Sequence, residues 1–274
     1  MKTVAITGST GGIGVRLVLF LRSNGFRVYE LSRKNRTGSA DWLHFDLANP
    51  TALQLPPDLD YFIHCAYDPT GLKWAEVKKN NIIATQQLFE LTKARGCQEF
   101  VFISSMAAFD GAKSNYGRMK RHLENFLLPR DAICIRPGLV FGVGRGLVEK
   151  MQSQISRRKL VPIIGGRKLT FHPIAVSALC HGILTVLSSP AAYKHKPVVI
   201  ASRRSTTLHA FASSMAQPSG KAPWFVPIPA RFAWLILRLF EALDIRMSFK
   251  SDNIVGILNQ WPDPFEGNLC IEPK

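Results

Sequence analysis

Tyr116 and Lys120 are the residues of this chain whose types and spacing first suggest shared chemistry. They stand four positions apart in the stretch SNYGRMK, and residues at that spacing lie on the same face of a helix. A lysine ammonium beside a tyrosine favours the phenolate, so the pair could move a proton at a carbinol or carbonyl oxygen. Such pairs also occur by chance, and the alternative is an ordinary first turn of a surface helix. The residues that accompany the pair have to decide between these readings.

A glycine-rich turn, TGSTGGIG, joins the first predicted strand to the first predicted helix. Gly8 permits a tight turn, Gly11 lets the backbone approach a pyrophosphate, and Gly14 lets helix and strand pack closely. The free N–H groups at the start of the helix, together with its dipole, attract phosphate. The turn therefore predicts a dinucleotide site. Its predicted contacts are Gly8, Ser9, Thr10, Gly11, Gly12, Ile13 and Gly14.

The end of the second predicted strand, in YELSRKNR, bears on which nicotinamide dinucleotide is bound. NAD-binding folds carry an acidic residue at this place, where it binds the ribose diol. Here Ser32 and Arg33 stand at the strand end, and a hydroxyl with a guanidinium suits a 2′-phosphate. Glu30 instead favours NAD(H), because this acidic residue could bind the ribose diol if the strand ended earlier. NADP(H) is the predicted cofactor, and NAD(H) is the alternative.

Apolar runs alternate with helical patterns through the first half of the chain. Strands that are apolar on both faces and separated by helices predict a parallel sheet covered on both sides. The predicted fold class is therefore α/β, with a Rossmann-type doubly wound sheet. Its predicted strands are Thr3–Thr7, Phe26–Leu31, Trp42–Leu47, Asp60–Ala66, Glu99–Ser104 and Ala132–Pro137, and its helices are Gly12–Ser23, Lys73–Arg95 and the one that carries Tyr116.

The second half of the chain has shorter elements and more proline, glycine and basic residues. His172–Leu187 reads as a helix and Pro197–Ser202 as a strand, and both could return to the sheet. Residues 1–145 would then form the dinucleotide-binding domain, completed by about residues 170–202, and residues 146–168 and 203–274 a small C-terminal substrate cap. The amphipathic run Pro229–Leu243 is predicted to pack on that cap rather than to anchor the protein to a membrane, because Trp and Phe stripes usually face a core.

The chain carries 35 Lys and Arg residues against 19 Asp and Glu residues, a formal net charge of +16. Such a charge favours anionic partners, among them phosphorylated cofactors and nucleotide-linked substrates, although it could serve solubility alone. The basic residues are scattered, with small clusters at Ser32–Arg36, Ser156–Lys159 and Ser202–Arg204. Because no nucleic-acid-binding signature accompanies them, nucleic acid is not predicted as a partner.

The cysteines indicate a reducing compartment. There are five, an odd number, and none has the spacing of a zinc site, so no metal site is predicted. The opening stretch MKTVAITGST lacks the apolar core of a signal peptide, and no apolar run is long enough to span a bilayer. The sequence therefore predicts a cytoplasmic protein.

Taken together, these motifs resemble the short-chain dehydrogenases/reductases, and in particular their extended branch, the NAD(P)-dependent nucleotide-sugar epimerase/dehydratase family. TGSTGGIG is similar to the TGxxGxxG loop of that group, and NYGRMK to its YxxxK motif. The resemblance spans roughly Lys2 to Ser202. Further segments similar to the extended branch are FIHCA, NNIIATQQLFE, FISS, IRPGLVFGVG, LTFHPIAVSALCHGIL and VVIAS.

The resemblance implies roles for single residues. Tyr116 would be the catalytic acid/base and Lys120 its activator, and both would also contact the cofactor. Ser105 would position the substrate oxygen, with Ser104 as the alternative. The remaining implied cofactor contacts are Asp46 and Leu47 at the adenine, Cys65, Ala66 and Tyr67 on the ribose side, and Pro137 and Gly138 at the nicotinamide edge.

The resemblance also implies a function. The chain would be an NAD(P)-dependent epimerase, reductase or dehydratase that acts on a nucleotide-activated sugar by hydride transfer, and a homodimer is compatible with it. Two departures stand out: the loop between Ser105 and Tyr116 is short, and HPIAV lacks the family's usual acidic residue. The short loop leaves open a reductase of a smaller carbonyl compound. A non-catalytic dinucleotide-binding subunit is the third reading.

Overall fold

A parallel sheet of eight strands lies at the centre of the computed structural model. The model describes residues 1–57, 59–71, 73–144, 148–149, 151–153, 160–164, 169–216, 224–245, 247, 249–261 and 263–272. Every neighbouring pair of strands in this sheet is parallel. From one edge to the other, the strands are Leu269–Ile271 (β14), Val198–Ile200 (β11), Ile133–Pro137 (β6), Glu99–Ile103 (β5), Tyr61–His64 (β4), Thr3–Thr7 (β1), Arg27–Ser32 (β2) and Trp42–His44 (β3).

Helices cover both faces of this sheet, because its strands are apolar on both sides. Residues that alternate along a strand point to opposite faces, so Val4 and Ile6 enter one core cluster while Ala5 enters the other. The first cluster is completed by α1 (Gly12–Ser23) and α5 (Val176–Ser188), and the second by α3 (Ala84–Ala94) and α4 (Asn115–Leu127). The predicted doubly wound α/β fold is confirmed.

The predicted helix Lys73–Arg95 is one helical stretch with an irregular middle. It consists of α2 (Trp74–Val77), a π-helical segment over Lys78–Ile83, and α3. The predicted helix His172–Leu187 differs from the structure at its start. There Pro173–Ala175 (β10) is a strand that pairs with Leu139–Phe141 (β7), and the helix begins only at Val176.

Among its described residues, the predicted cap region contributes short strands and helices. Leu160–Ile164 (β8) pairs with Trp224–Ile228 (β13), and Thr170–Phe171 (β9) pairs with Thr206–Thr207 (β12). The basic cluster Ser156–Lys159 lies outside the described residues. The division into two domains remains a prediction. The helices of this region include α6 (Leu208–Ala216), α7 (Ala230–Ala242) and α8 (Ser251–Leu258). Elsewhere in the chain, 3₁₀ turns lie at Pro50–Ala52, Leu128–Arg130 and Pro190–Tyr193.

The main sheet extends further along the chain than the sequence indicated. Its completion was expected by about residue 202, yet β14 adds an edge strand next to β11. A strand of only three residues carries too little alternation to be recognised as part of a parallel sheet.

The prediction for Pro229–Leu243 is correct for one face of α7 and wrong for the other. Ala233 and Leu237 are buried and pack against Ile254 of α8, as expected of a helix on its own cap. Phe232, Leu235 and Leu239 face outwards instead, with Phe232 58% exposed. Within the described part of the chain, no helix is long and apolar enough to cross a membrane.

Candidate active site

The predicted site residues gather at one edge of the main sheet. The carboxyl ends of parallel strands meet at the same edge, which is where open α/β sheets bind ligands. The glycine turn follows β1, Ser32 ends β2, and Cys65 follows β4. Ser104 and Ser105 follow β5, while Pro137 ends β6.

The glycine turn has the backbone geometry that a pyrophosphate site requires. Gly8 has a φ of +67°, a conformation that side chains rarely adopt. A Cβ atom at Gly14 would lie 2.1 Å from the carbonyl oxygen of Gly8, and one at Gly11 would lie 3.0 Å from the same oxygen. The N-cap residue of α1, Gly11, supplies no side-chain hydrogen bond, and the first turn holds no acidic residue. The start of the helix therefore fits a bound phosphate group.

Glu30 and Arg33, the two candidate ribose contacts near the end of β2, have different surroundings. Glu30 is buried, lies 2.8 Å from Arg22 Nη1, and accepts a hydrogen bond of 3.1 Å from the Thr37 hydroxyl. Its carboxylate is buried beside these groups, although Glu30 Oε1 forms no hydrogen bond within the described residues. Ser32 accepts a hydrogen bond from Trp42 Nε1 at 3.0 Å, whereas Arg33 is exposed. A guanidinium is thus the charged group available at the strand end.

The segment after β4 is held against the glycine turn. The amides of Cys65 and Ala66 both donate to Thr7 Oγ1, at 3.1 and 3.2 Å. Thr7 therefore donates its own proton to His64 Nδ1 at 2.7 Å, which leaves His64 Nε2 to donate to Thr85 Oγ1 at 3.0 Å. Burial lowers the pKa of His64 to about 3, so this histidine stays neutral. His64 is therefore a neutral core residue with both ring nitrogens hydrogen-bonded.

The two serines after β5 have different partners. Ser104 is buried and donates to Glu124 Oε1 at 2.6 Å, and Glu124 in turn pairs with Arg136. Ser105 is half-buried, accepts a hydrogen bond from Ala107 N at 3.2 Å, and lies near enough to Tyr116 for its hydroxyl to lower the pKa of that tyrosine. Only Ser105 therefore lies where a hydroxyl could share a substrate oxygen with Tyr116.

Tyr116 and Lys120 lie on one face of α4, as their spacing predicts. Lys120 is buried, its Nζ atom donates to the carbonyl oxygen of Ile103 at 2.7 Å, and it lies 5.8 Å from the centre of the Tyr116 ring. Burial lowers the pKa of Lys120 to about 8. The ring of Tyr67 meets that of Tyr116 edge to face, with the centres 5.2 Å apart. Lys120 and Tyr67, one predicted catalytic residue and one predicted cofactor contact, thus both lie beside the Tyr116 ring.

The ionisation of Tyr116 differs from the sequence-based expectation. The expectation is that the lysine ammonium and the positive nicotinamide ring together lower the pKa of this tyrosine, and the protein's own groups alone do not do so. In the structure burial raises the pKa of Tyr116, and the Ser105 hydroxyl opposes that effect. The ammonium of Lys120 is directed at the Ile103 carbonyl, so it does not offset the cost of burying a phenolate.

The other implied cofactor contacts also lie at this edge. Asp46 and Leu47 follow β3, and Asp46 Oδ1 accepts a hydrogen bond from Ala48 N at 3.0 Å. Gly138 leaves β6, and a Cβ atom there would lie 2.2 Å from the carbonyl oxygen of His172. Glycine at this position is therefore required by the close approach of the strand that begins at Pro173. Burial raises the pKa of Cys65 to about 12, so its thiol remains protonated.

Asp252 is a site residue that sequence reasoning missed. This residue of α8 accepts hydrogen bonds from the backbone amides of Asn115 at 2.7 Å and Tyr116 at 3.1 Å. A carboxylate at the start of a helix satisfies amides that have no partner within the helix. The contact joins residues far apart in the chain, and no local pattern around Asp252 signals it. Asp252 therefore fixes the backbone from which the Tyr116 side chain projects.

Replacing Asp252 with alanine is expected to reduce both stability and turnover. Loss of the cap should cost about 0.5–2 kcal/mol of the unfolding free energy. Movement of the Tyr116 backbone should lower kcat by roughly ten- to a hundredfold, since a displacement of about 1 Å can cost that much. Urea unfolding and steady-state kinetics measure the two effects. The exposed Glu266 provides the control as Glu266→Ala, and equal kcat values for the two variants would contradict the role given to Asp252.

Comparison with known proteins agrees with this arrangement. Residues 4–201 match the model of the NAD dependent epimerase/dehydratase family. The chain belongs to that family. The predicted family assignment is confirmed, and so is the prediction of an enzyme of this family.

Individual relatives of this family are distant. A ceramide reductase from Caulobacter vibrioides (strain NA1000 / CB15N) is 29% identical over 170 residues, which cover 59% of this chain and 53% of the relative. The chain thus matches about half of that protein's length. A UDP-glucose 4-epimerase from Vibrio cholerae is 21% identical over 276 residues, covering 89% of this chain and 84% of the relative. The structure of MoeE5 in complex with UDP-glucose and NAD superposes with a TM-score of 0.71 at 22% identity, covering 83% of this chain and 85% of that one.

Proposed function

We propose that this member of the family converts a nucleotide-activated sugar by hydride transfer, as an epimerase, reductase or dehydratase with Tyr116 as the acid/base. The observation that supports this most directly is that Ser105, Tyr116 and Lys120 lie together at the sheet edge that also carries the glycine turn. A bound nicotinamide dinucleotide would supply the accepting or donating carbon for the hydride. The epimerase from Vibrio cholerae and the UDP-glucose in the MoeE5 complex favour a nucleotide sugar.

The protein's own groups would handle the proton. In the reducing direction the Tyr116 hydroxyl gives its proton to the substrate oxygen, and in the oxidising direction the phenolate takes it back. The Ser105 hydroxyl would donate a hydrogen bond to the same substrate oxygen as negative charge develops on that oxygen. Lys120 is positioned by its bond to the Ile103 carbonyl, from which its ammonium can also reach a cofactor ribose. Tyr67 packs on the Tyr116 ring and limits its rotation.

A reductase of a smaller carbonyl compound is the second candidate. The short loop between Ser105 and Tyr116 removes part of a substrate wall, and one relative is named a ceramide reductase. In this case the same residues would act, but the product would be an alcohol formed with net oxidation of the cofactor.

One experiment separates these candidates. The purified protein is incubated with single nucleotide sugars or small ketones, while the absorbance of the reduced cofactor is followed and the products are identified by NMR. We expect a new epimer or a keto sugar from at least one nucleotide sugar. Reduction of ketones alone, with every nucleotide sugar unchanged, would replace the first candidate by the second. If the protein binds the dinucleotide but no substrate class reacts, a non-catalytic role is favoured.

Arg33 is proposed to favour NADPH over NADH by pairing with the 2′-phosphate. Replacing Arg33 with alanine should weaken NADPH binding by about 1.5–3 kcal/mol, the usual contribution of a hydrogen bond to a charged group. The affinity for NADH should change little. Fluorescence titration with both cofactors measures the difference, and Arg36→Ala serves as the control because Arg36 is exposed on the same loop. Equal affinities in the unaltered protein would contradict the proposed preference.

A further inference from the structure

Helix α7 presents an apolar stripe to solvent. The stripe consists of Phe232, Leu235, Ile236, Leu239 and Leu243, which are 37% to 61% exposed. Because they recur at intervals of three and four residues, they form a single face of the helix. The opposite face is occupied by buried Ala233 and Leu237. The stripe is thus not the core-facing side of an amphipathic helix but a second apolar side left uncovered.

Basic groups border the stripe. Arg231 and Arg238 stand four residues before and three residues after Leu235, so both lie alongside it, and both are exposed. Arg231 also lines a cleft of about 330 Å³ that contains Lys113 and Trp234. The carboxylate of Glu241 lies 3.7 Å from the Arg238 guanidinium and accepts two hydrogen bonds from Ser251. The border of the stripe is therefore positively charged.

Two partners could cover the stripe: a second copy of this chain or an anionic lipid surface. The net charge of the chain distinguishes between them. Contiguous exposed apolar residues indicate an interaction site. Two copies, each with a formal charge of +16, repel one another, whereas anionic headgroups attract the basic border. An apolar face with arginines at its side and a tryptophan nearby is the pattern of helices that lie in a membrane interface. A helix of 13 residues cannot span the bilayer, for which about 20 are needed.

We propose that α7 docks this protein peripherally on anionic membranes. The stripe enters the region between the headgroups and the acyl chains. Arg231 and Arg238 pair with lipid phosphates, with Lys113 adding charge at the cleft. Docking of this kind does not depend on which substrate the active site accepts.

Co-sedimentation of the full chain with lipid vesicles tests this proposal. Vesicles of phosphatidylglycerol and phosphatidylcholine should bind the protein at physiological salt, and vesicles of phosphatidylcholine alone should bind it far less. Leu235→Glu with Leu239→Glu should weaken binding at least about tenfold, because each leucine loses its apolar burial. Leu19→Glu is the matched control, since Leu19 is an equally exposed leucine on α1 and should leave binding unchanged. Arg231→Ser with Arg238→Ser should abolish the preference for anionic vesicles.

Several results would overturn the proposal. One is an unaltered protein that stays in the supernatant with anionic vesicles, and another is an equal loss of binding in the Leu19 and stripe variants. A third is the finding, by sedimentation velocity without lipid, that the protein is a dimer which the stripe substitutions convert to monomers, together with no binding of the unaltered protein to vesicles. That result would assign the stripe to a second copy. Circular dichroism checks that each variant is folded, and the single change Leu235→Ser replaces the double variant if that one fails to fold.

Discussion

Tyr116→Phe is expected to lower kcat by at least ~10²-fold, the usual contribution of a positioned acid/base. Affinity for the cofactor should remain nearly unchanged, because the ring and its edge-to-face contact with Tyr67 are kept. Steady-state kinetics and cofactor titration measure the two quantities. Tyr29→Phe removes a hydroxyl on β2 and should leave both unaltered. If turnover survives Tyr116→Phe within a few-fold, Tyr116 and Lys120 are only neighbours on a helix.

The pH dependence follows from the same two residues. In the oxidising direction Tyr116 must be a phenolate, and its raised pKa means that the rate increases with pH through the alkaline range. Lys120, whose pKa is about 8, loses its ammonium in that range, and this loss lowers the rate. Tyr116→Phe should remove the rising part of the profile. Lys120→Met should lower both kcat and cofactor affinity, since the ribose contact disappears together with the charge.

The second large effect is expected at the buried ion pair beneath the site. Glu124 accepts hydrogen bonds from Arg136 at 2.8 and 2.5 Å, and both side chains are almost fully buried. Glu124→Ala should lower the unfolding free energy by about 3–5 kcal/mol, because it leaves the Arg136 charge buried without a partner. Urea denaturation measures the loss.

Two further variants show whether the unpaired charge is the cause. Replacing Glu124 and Arg136 together with methionine should restore much of the stability, since apolar residues of similar size often substitute for a buried pair. Asp41→Ala breaks the exposed pair with Arg27 at 2.9 Å and should cost far less stability, because exposed ion pairs contribute little. A double variant as unstable as Glu124→Ala would point to packing rather than charge.

Much of the fold could be predicted because its signals are local. The first helix has the predicted bounds, Gly12–Ser23, since a glycine turn opens it and an apolar stripe defines its extent. The first strand and the glycine turn, which is the predicted cofactor loop, could be recognised because their signals lie within one βα unit. The same holds for Tyr116 and Lys120, whose relation is fixed by helical geometry alone. Their ionisation was not predictable, because it depends on burial by residues distant in sequence.

Other features are invisible in local patterns. β14 has three residues and is defined by its neighbour β11, not by its own alternation. Asp252 reaches Asn115 and Tyr116 from a different part of the chain. The periodicity of α7 predicts a helix with an apolar side. It does not show which of the two apolar sides of this helix the rest of the protein buries. Long-range contacts decided each of these outcomes.

The contacts of Asp252 have a consequence for the order in which the protein acquires activity. The adjoining Lys250 donates to the backbone carbonyls of Pro69 and Thr70, so this late segment also secures the loop after β4. A ribosome completes the glycine turn, β5 and α4 long before it makes these residues, and chains fold as they emerge. Until then the start of α4 has its local cap, the Ser114 hydroxyl that accepts a hydrogen bond from Gly117 N at 3.0 Å, but not the contacts of Asp252. The backbone of Tyr116 therefore reaches its final support only after residues 250 and 252 have been synthesised and have docked.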